Sequence, residues 1–195
     1  ANKLAGTLSK NESFDVQRWF RFQQECIKTT AENINGETFR KIIETLKSAE
    51  RIYIHAKNAS SSAAQLLFFR LRRLGFNVFL IPSGGSETIE GIAHAQRGDV
   101  AILFSFSKLS KEGKYILDYS KQAGFSTVAF TSRRIMPREE CADYSMYVYR
   151  GEDREYHSVS SAIVMVDALI LALSEEIKSV ATERLRKVQE LKRQY

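Results

Sequence analysis

Two short segments of this 195-residue chain concentrate side chains suited to holding an oxygen-rich anion. One is His55-Ala56-Lys57-Asn58-Ala59-Ser60-Ser61-Ser62, and the other is Ser105-Phe106-Ser107-Lys108-Leu109-Ser110-Lys111-Glu112. Each runs into a stretch with helical spacing of apolar residues. A helix start carries unpaired backbone N–H groups and a partial positive charge of about half a unit, which suits a phosphate. Serine hydroxyls at that point add donors that can turn toward the anion. A single serine there reads as a helix cap. Six serines in two loops that meet in space read as a phosphate or sugar-phosphate site.

The other reactive side chains are sparse. His55 ends a β-rich run, His157 follows the acidic Glu152, Asp153 and Glu155, and His94 falls in a helical pattern. A carboxylate from Glu152 or Glu155, paired with His157 or His55, would make the base that an aldose–ketose isomerase needs. Each of these residues also reads as an ordinary surface or loop-edge group. Dinucleotide, Walker, zinc-protease and serine-hydrolase motifs are absent from the sequence. Cys26 and Cys141 stand far apart with no CxxC at either, so they read as reduced thiols of a cytoplasmic protein rather than a disulfide or a metal knuckle. No cofactor and no metal are expected.

For the two loops to meet, the chain must fold as alternating strands and helices. Ile52–Ile54, Val78–Ile81, Val100–Phe104, Thr127–Phe130 and Tyr144–Tyr149 read as five strands. Helical segments fall between them: 63–74 closed by Gly75, 86–97 closed by Gly98, and 111–123 closed by Gly124. Helices also precede them at 13–33, capped by Ser13, and at 37–49, and follow them from Ser160 to about Lys192 with a break near Ser179. This alternation predicts a three-layer αβα sandwich around a five-stranded parallel sheet. In strand order 2-1-3-4-5, the crevice where ligands bind lies between strands one and three, where the two serine loops emerge.

Composition agrees with a folded domain: 44% of residues are hydrophobic and 27% charged. The net charge is +6, and the segment from Lys178 onward holds six basic residues against two acidic ones. No aromatic residues alternate with those charges, so a solvated amphipathic helix fits better than a nucleic-acid platform. The longest apolar run, 162–173, contains Asp167 and is too short for a membrane span.

From about Thr38 to Leu173 the sequence resembles a sugar isomerase (SIS) domain of the kind found in RpiR-type transcriptional regulators. Ala56-Lys57-Asn58-Ala59-Ser60 stands where that family has a G-x-G-A-S type loop, and Ser105-Phe106-Ser107-Lys108-Leu109-Ser110 where it has S-x-S-G-x-T. Cys141-Ala142-Asp143 resembles the A-D leading into strand five. Ser160-Ser161 and Val166-Asp167-Ala168-Leu169 resemble the regulator-type C-terminal helix. Neither loop has a glycine: Ala56, Asn58 and Lys108 replace them.

The resemblance implies a phosphosugar effector held by Ser60, Ser105, Ser107 and Ser110. Asn58 takes a glycine's place, and Lys108, which takes another, either places its ammonium on the phosphate or points to solvent. It further implies that residues 1–36 form a docking and dimerisation helix, the end of a linker from a helix-turn-helix domain that lies outside this chain. Residues 37–195 would be the phosphosugar-binding domain. DNA would be reached only through that other domain, and the protein would be a homodimer or tetramer without catalytic residues. The competing reading is a stand-alone phosphosugar isomerase.

Overall fold

The structure is a computed structural model that describes residues 13–153 and 155–195. Five parallel strands form one sheet in the order β2-β1-β3-β4-β5. They are β1 (Ile52–Ala56), β2 (Val78–Ile81), β3 (Val100–Phe104), β4 (Ser126–Thr131) and β5 (Tyr144–Tyr147). Ile52 pairs with Val78 on one side and Val100 on the other, so β1 lies between β2 and β3. β1 and β3 are buried along their whole length, as near-continuous apolar strands covered on both faces must be. The edge strands β2 and β5 are only partly covered, and Phe79 of β2 is exposed.

Helices fill the two outer layers. On one face, α2 (Gly36–Lys47), α3 (Ser60–Arg73), α6 (Ser160–Glu176) and α7 (Lys178–Gln194) contribute Ile42, Leu67, Leu169 and Ala181 to a core with Ile52, Ile54 and Ile102. On the other, α4 (Ser86–Ile92) and α5 (Lys111–Ala123) pack Ile92, Ile116 and Leu117 over Tyr53, Ile81 and Leu103. Full burial of one such aliphatic side chain contributes about 1.5–3 kcal/mol. These layers therefore hold in place the strand ends from which the serine loops depart.

Several boundaries differ from the sequence expectation, each for a local reason. The first helix, α1 (Val16–Glu32), is capped by Asp15, whose carboxylate accepts from Gln17 N at 2.8 Å; Ser13 lies before it. α4 stops at Ile92 rather than running to 97. Arg51 donates to the His94 carbonyl at 3.0 Å, and buried Asp99 accepts from Gln96 N at 2.9 Å, which pulls the next turn out of helical geometry. His94 is exposed but lies past the helix end, not within it. The C-terminal helical stretch breaks at Ile177, near the expected position.

Asp143 explains its dipeptide. Its carboxylate accepts from Thr127 N and Oγ1, both at 2.7 Å, which ties the start of β5 to β4. α1 docks on α6 and on the loop after β5, where Tyr149 N donates to Thr30 Oγ1 at 3.0 Å. Gly151 permits this approach: its φ is +99°, and a Cβ there would stand 2.7 Å from Phe22 of α1. Residues 1–12 of the expected docking segment lie outside the described residues.

Candidate functional site

The β1–α3 and β3–α5 loops converge on an open cleft of about 680 Å³ at the carboxyl ends of the strands. Strand order reverses at this point, so α3 and α5 lie on opposite faces of the sheet and present their first turns to the same space. All six residues singled out in the sequence, Asn58, Ser60, Ser105, Ser107, Lys108 and Ser110, line it.

The first loop turns through Asn58, whose φ of 55° is the one left-handed non-glycine conformation among the described residues. Asparagine tolerates that region better than most side chains, so the turn forms without the glycine. Ala59, at the cap position of α3, offers no side-chain oxygen. Ser60 begins the helix, and its hydroxyl has no protein partner among the described residues.

The second loop is differently built. Ser105 Oγ donates to the Lys108 carbonyl at 3.1 Å, and Ser110 Oγ accepts from Gly113 N at 3.0 Å as the cap of α5. A Cβ at Gly113 would come within 2.7 Å of Leu109 Cδ1, so a larger residue there would displace the Leu109 side chain. Ser107 is exposed, and its hydroxyl has no protein partner among the described residues. The Lys108 side chain is exposed as well.

An ion pair joins the loops. Lys57 Nζ lies 2.9 Å from Glu112 Oε1, and this bond is the main cause that holds the Glu112 carboxyl near a pKa of about 2. His55 forms part of the cleft floor, on the α4–α5 side of the sheet beside Ile81 and Leu103. Both its ring nitrogens are buried without a partner, and desolvation pushes its pKa below the ordinary histidine value.

The far wall comes from the segment after β5. Arg150, Tyr156 and His157 line it, with Tyr156 braced by Trp19 of α1 at 5.7 Å between ring centres. His157 Nε2 donates to the Glu152 carbonyl at 2.9 Å. The Glu152 and Glu155 carboxylates turn to local partners: Tyr149 Oη donates to Glu152 at 2.8 Å, and Glu152 N to Glu155 at 3.0 Å. Among these bonds Glu152 meets His157 through its backbone carbonyl rather than its carboxylate.

Sequence reasoning passed over Lys57, Gly113 and Arg150. Lys57 lies inside the first loop, but its partner is 55 positions away. Arg150 lies just past the end of β5, and that position at the rim of the sheet is the one signal that points to it.

This sheet order is shared by several doubly wound α/β folds, and serine-rich loops meeting at its reversal point fit the sugar isomerase type among them. The SIS domain family model matches residues 45–172, and the chain belongs to that family. Its curated relatives include an uncharacterised HTH-type transcriptional regulator of Caldanaerobacter subterraneus, 22% identical over 83% of this chain and 58% of the relative. A similar regulator of Haemophilus influenzae is 29% identical over 60% of this chain and 43% of its own length. The chain thus spans about half the length of the curated relatives it matches.

Similar solved structures include the sugar isomerase domain of an RpiR transcription factor from Sphaerobacter thermophilus, with TM-score 0.81, 20% identity and coverage of 88% of this chain and 96% of that one. The Vibrio vulnificus NanR protein complexed with ManNAc-6P superposes with TM-score 0.80 at 20% identity, covering 96% of this chain and 72% of that one. Phosphoheptose isomerase from Neisseria gonorrhoeae also shares the fold, with TM-score 0.63, 15% identity and coverage of 84% and 97%. At these identities the likeness shows the fold. Among the described residues no helix is long and apolar enough to cross a membrane, and no group of three metal-ligating side chains occurs.

Proposed function

We propose that this domain binds a phosphorylated sugar in the cleft between the β1–α3 and β3–α5 loops, and that binding governs the DNA-binding part of a bacterial RpiR-type regulator. One observation carries the reading. The Ser60 and Ser107 hydroxyls, both without protein partners, line one cleft near the N-terminal ends of two long helices. A phosphate oxygen accepts only, so it needs such donors, and charge-assisted bonds to them are the strong kind. The cleft volume falls within the ordinary range of small-molecule sites.

Binding without turnover is the better-supported mode. The residues lining the cleft include no carboxylate among those described. Glu112, at its edge, is held near a pKa of about 2 by Lys57, which makes it a weak base. The isomerase reading would rest on His55 or His157, the two histidines that line the cleft. Calorimetry with pentose, hexose, amino-sugar and sugar-acid phosphates tests the proposal. At least one should bind, and its unphosphorylated form should bind far more weakly; absence of binding across the set overturns the reading. NMR of the bound sugar in D₂O should show no deuterium entering the carbon next to the carbonyl. Incorporation that vanishes in His55→Ala or His157→Ala would make the domain an isomerase.

A homodimer fits the apolar surface left over, with further pairing to a tetramer as its extension. The sheet, α1, α2, α3 and α7 cover most of α6, yet Leu171 of α6 stays 70% exposed and Phe14 and Phe20, before and on α1, 77% and 62%. Sedimentation at micromolar concentration should give at least twice the chain mass; a monomer contradicts this.

A further inference from the structure

The cleft has hydroxyls and helix ends but needs a positive charge to match a phosphate. Lys57 is matched by Glu112 at 2.9 Å, and Lys108 is exposed to water. Arg150 is different. It is 8% exposed, and its guanidinium carbon lies 3.9 Å from the centre of the Phe106 ring. Phe106 stands between Ser105 and Ser107, so the guanidinium is set against the second serine loop. Its Nε donates to Ser132 Oγ at 3.3 Å, and no carboxylate pairs with it among the described residues. Burial alone accounts for the fall of its pKa to about 10, so it remains charged at neutral pH.

A desolvated arginine without an anion is unfavourable in the empty protein. The ring of Phe106 attracts the cation through its face and fixes its position. Arg150 lines the cleft, and its Nη donors have no hydrogen-bond partner among the described residues. His55 is buried in the same cleft with both ring nitrogens unpartnered, an independent group there, so that Arg150 lacks an anion and His55 lacks a hydrogen-bond partner. Two such groups facing one cleft point to a ligand that completes them.

We propose that Arg150, seated on Phe106, is the counter-charge of the cleft and makes it select a phosphate-bearing sugar over the neutral sugar. This rests on the reading of the cleft as a sugar-phosphate site. Lysine in its place would keep the charge but lose the planar fork and the stacking. Arg150 is thus a specificity-determining residue rather than a catalytic one.

Arg150→Met keeps most of the apolar stem and removes the charge and donors. Wild type, Arg150→Met and Arg150→Lys would be titrated calorimetrically with the sugar phosphate that wild type binds most tightly, and with the same sugar unphosphorylated. The unliganded proteins would also be melted. Arg150→Met should lose at least tenfold in affinity for the phosphorylated sugar, a typical effect for bonds to a charged group. Its affinity for the neutral sugar should not change, its melting temperature should stay level or rise, and Arg150→Lys should recover part of the loss.

In ¹⁵N-labelled wild type, the Arg150 Nε–H resonance should shift on adding the same sugar phosphate to saturation, a readout that needs no variant. Four results overturn the assignment. One is affinity within threefold of wild type in Arg150→Met. Another is an equal loss for phosphorylated and neutral sugar, or a melting temperature lowered by several degrees, which marks a structural arginine. The third is a loss confined to ligands carrying a sugar carboxylate, which assigns Arg150 to that group instead. The fourth is an Nε–H resonance unmoved at saturating sugar phosphate. Each leaves the sugar-phosphate reading standing, whereas wild type that binds no sugar phosphate removes that reading itself.

Discussion

The two serine loops look alike in sequence and differ in what their hydroxyls do. In the β3–α5 loop, Ser105 closes the turn on the Lys108 carbonyl and Ser110 caps α5 through Gly113. In the β1–α3 loop, the turn is made by Asn58 at φ 55°, the cap position holds Ala59, and Ser60 is left with nothing to bond. The first loop closes its turn through Ser61 N, Ser62 N and Ser62 Oγ and leaves the Ser60 hydroxyl over, while the second uses two of its three serines to build itself and leaves Ser107 over. A count of serines is therefore not a count of ligands. Ser105 already donates to a carbonyl and can offer an anion only lone pairs unless that bond is given up, whereas Ser110 accepts from Gly113 N, which fixes its oxygen as the cap but leaves its proton to donate.

The strongest test of this division removes the spare pair. Ser60→Ala with Ser107→Ala should weaken sugar-phosphate binding by about a hundredfold or more, since each bond to a charged group contributes roughly 1.5–3 kcal/mol. The melting temperature should hardly move, because neither hydroxyl bonds to the protein. Calorimetry and thermal unfolding on the same sample check both halves. Affinity within tenfold of wild type would mean that the open hydroxyls are not the ligands.

Removing the committed pair should reverse the pattern. Ser110→Ala deletes the α5 cap, at a cost of about 1 kcal/mol. In a domain of this size that lowers the melting temperature by roughly 2–4 °C. Ser105→Ala adds a smaller loss. Affinity in the double variant should fall less than in the first pair, through loosening of the loop. If binding falls as far as with Ser60 and Ser107, Ser105 and Ser110 rotate onto the phosphate, and the division between the loops disappears.

Much of this arrangement is legible in the residues themselves. Continuous apolar runs such as 100–104 mark buried parallel strands, and Gly124 closes α5 in a left-handed turn at the expected place. Strand order then brings 55–62 beside 105–112. The roles within the loops are not legible, because a serine that caps and a serine that waits share one side chain and one kind of position. Lys57 and Glu112 meet across 55 residues, and Arg150 reaches Phe106 only because β5 and α1 hold its loop there. Those contacts belong to the packed tertiary structure, where local pattern carries no signal. The end of α4 shows the same limit: Arg51 and Asp99 redirect a segment whose own spacing is helical.

The smallest effect concerns the tie between the loops. Lys57 holds the Glu112 carboxyl at a pKa of about 2, below the ordinary glutamate value of 4.5. A carboxyl lowered by folding stabilises the native state above its unfolded pKa, and that contribution is lost as pH falls through the folded value. Stability from this pair should therefore be full at neutral pH and should decline from about pH 4.5 toward pH 2. Glu112→Gln should be slightly less stable than wild type at pH 7, with the two converging toward pH 2, as followed by urea unfolding across that window. The pair is partly open to solvent, so salt will screen part of it. The variant also frees Lys57 beside the cleft. If the tie serves mainly to neutralise Lys57, Glu112→Gln should bind sugar phosphate more tightly than wild type. If it serves mainly to hold the loops in register, affinity should fall. A gap between variant and wild type that stays constant from pH 7 to pH 2 would show that the ion pair contributes nothing and that only the shape of the side chain matters.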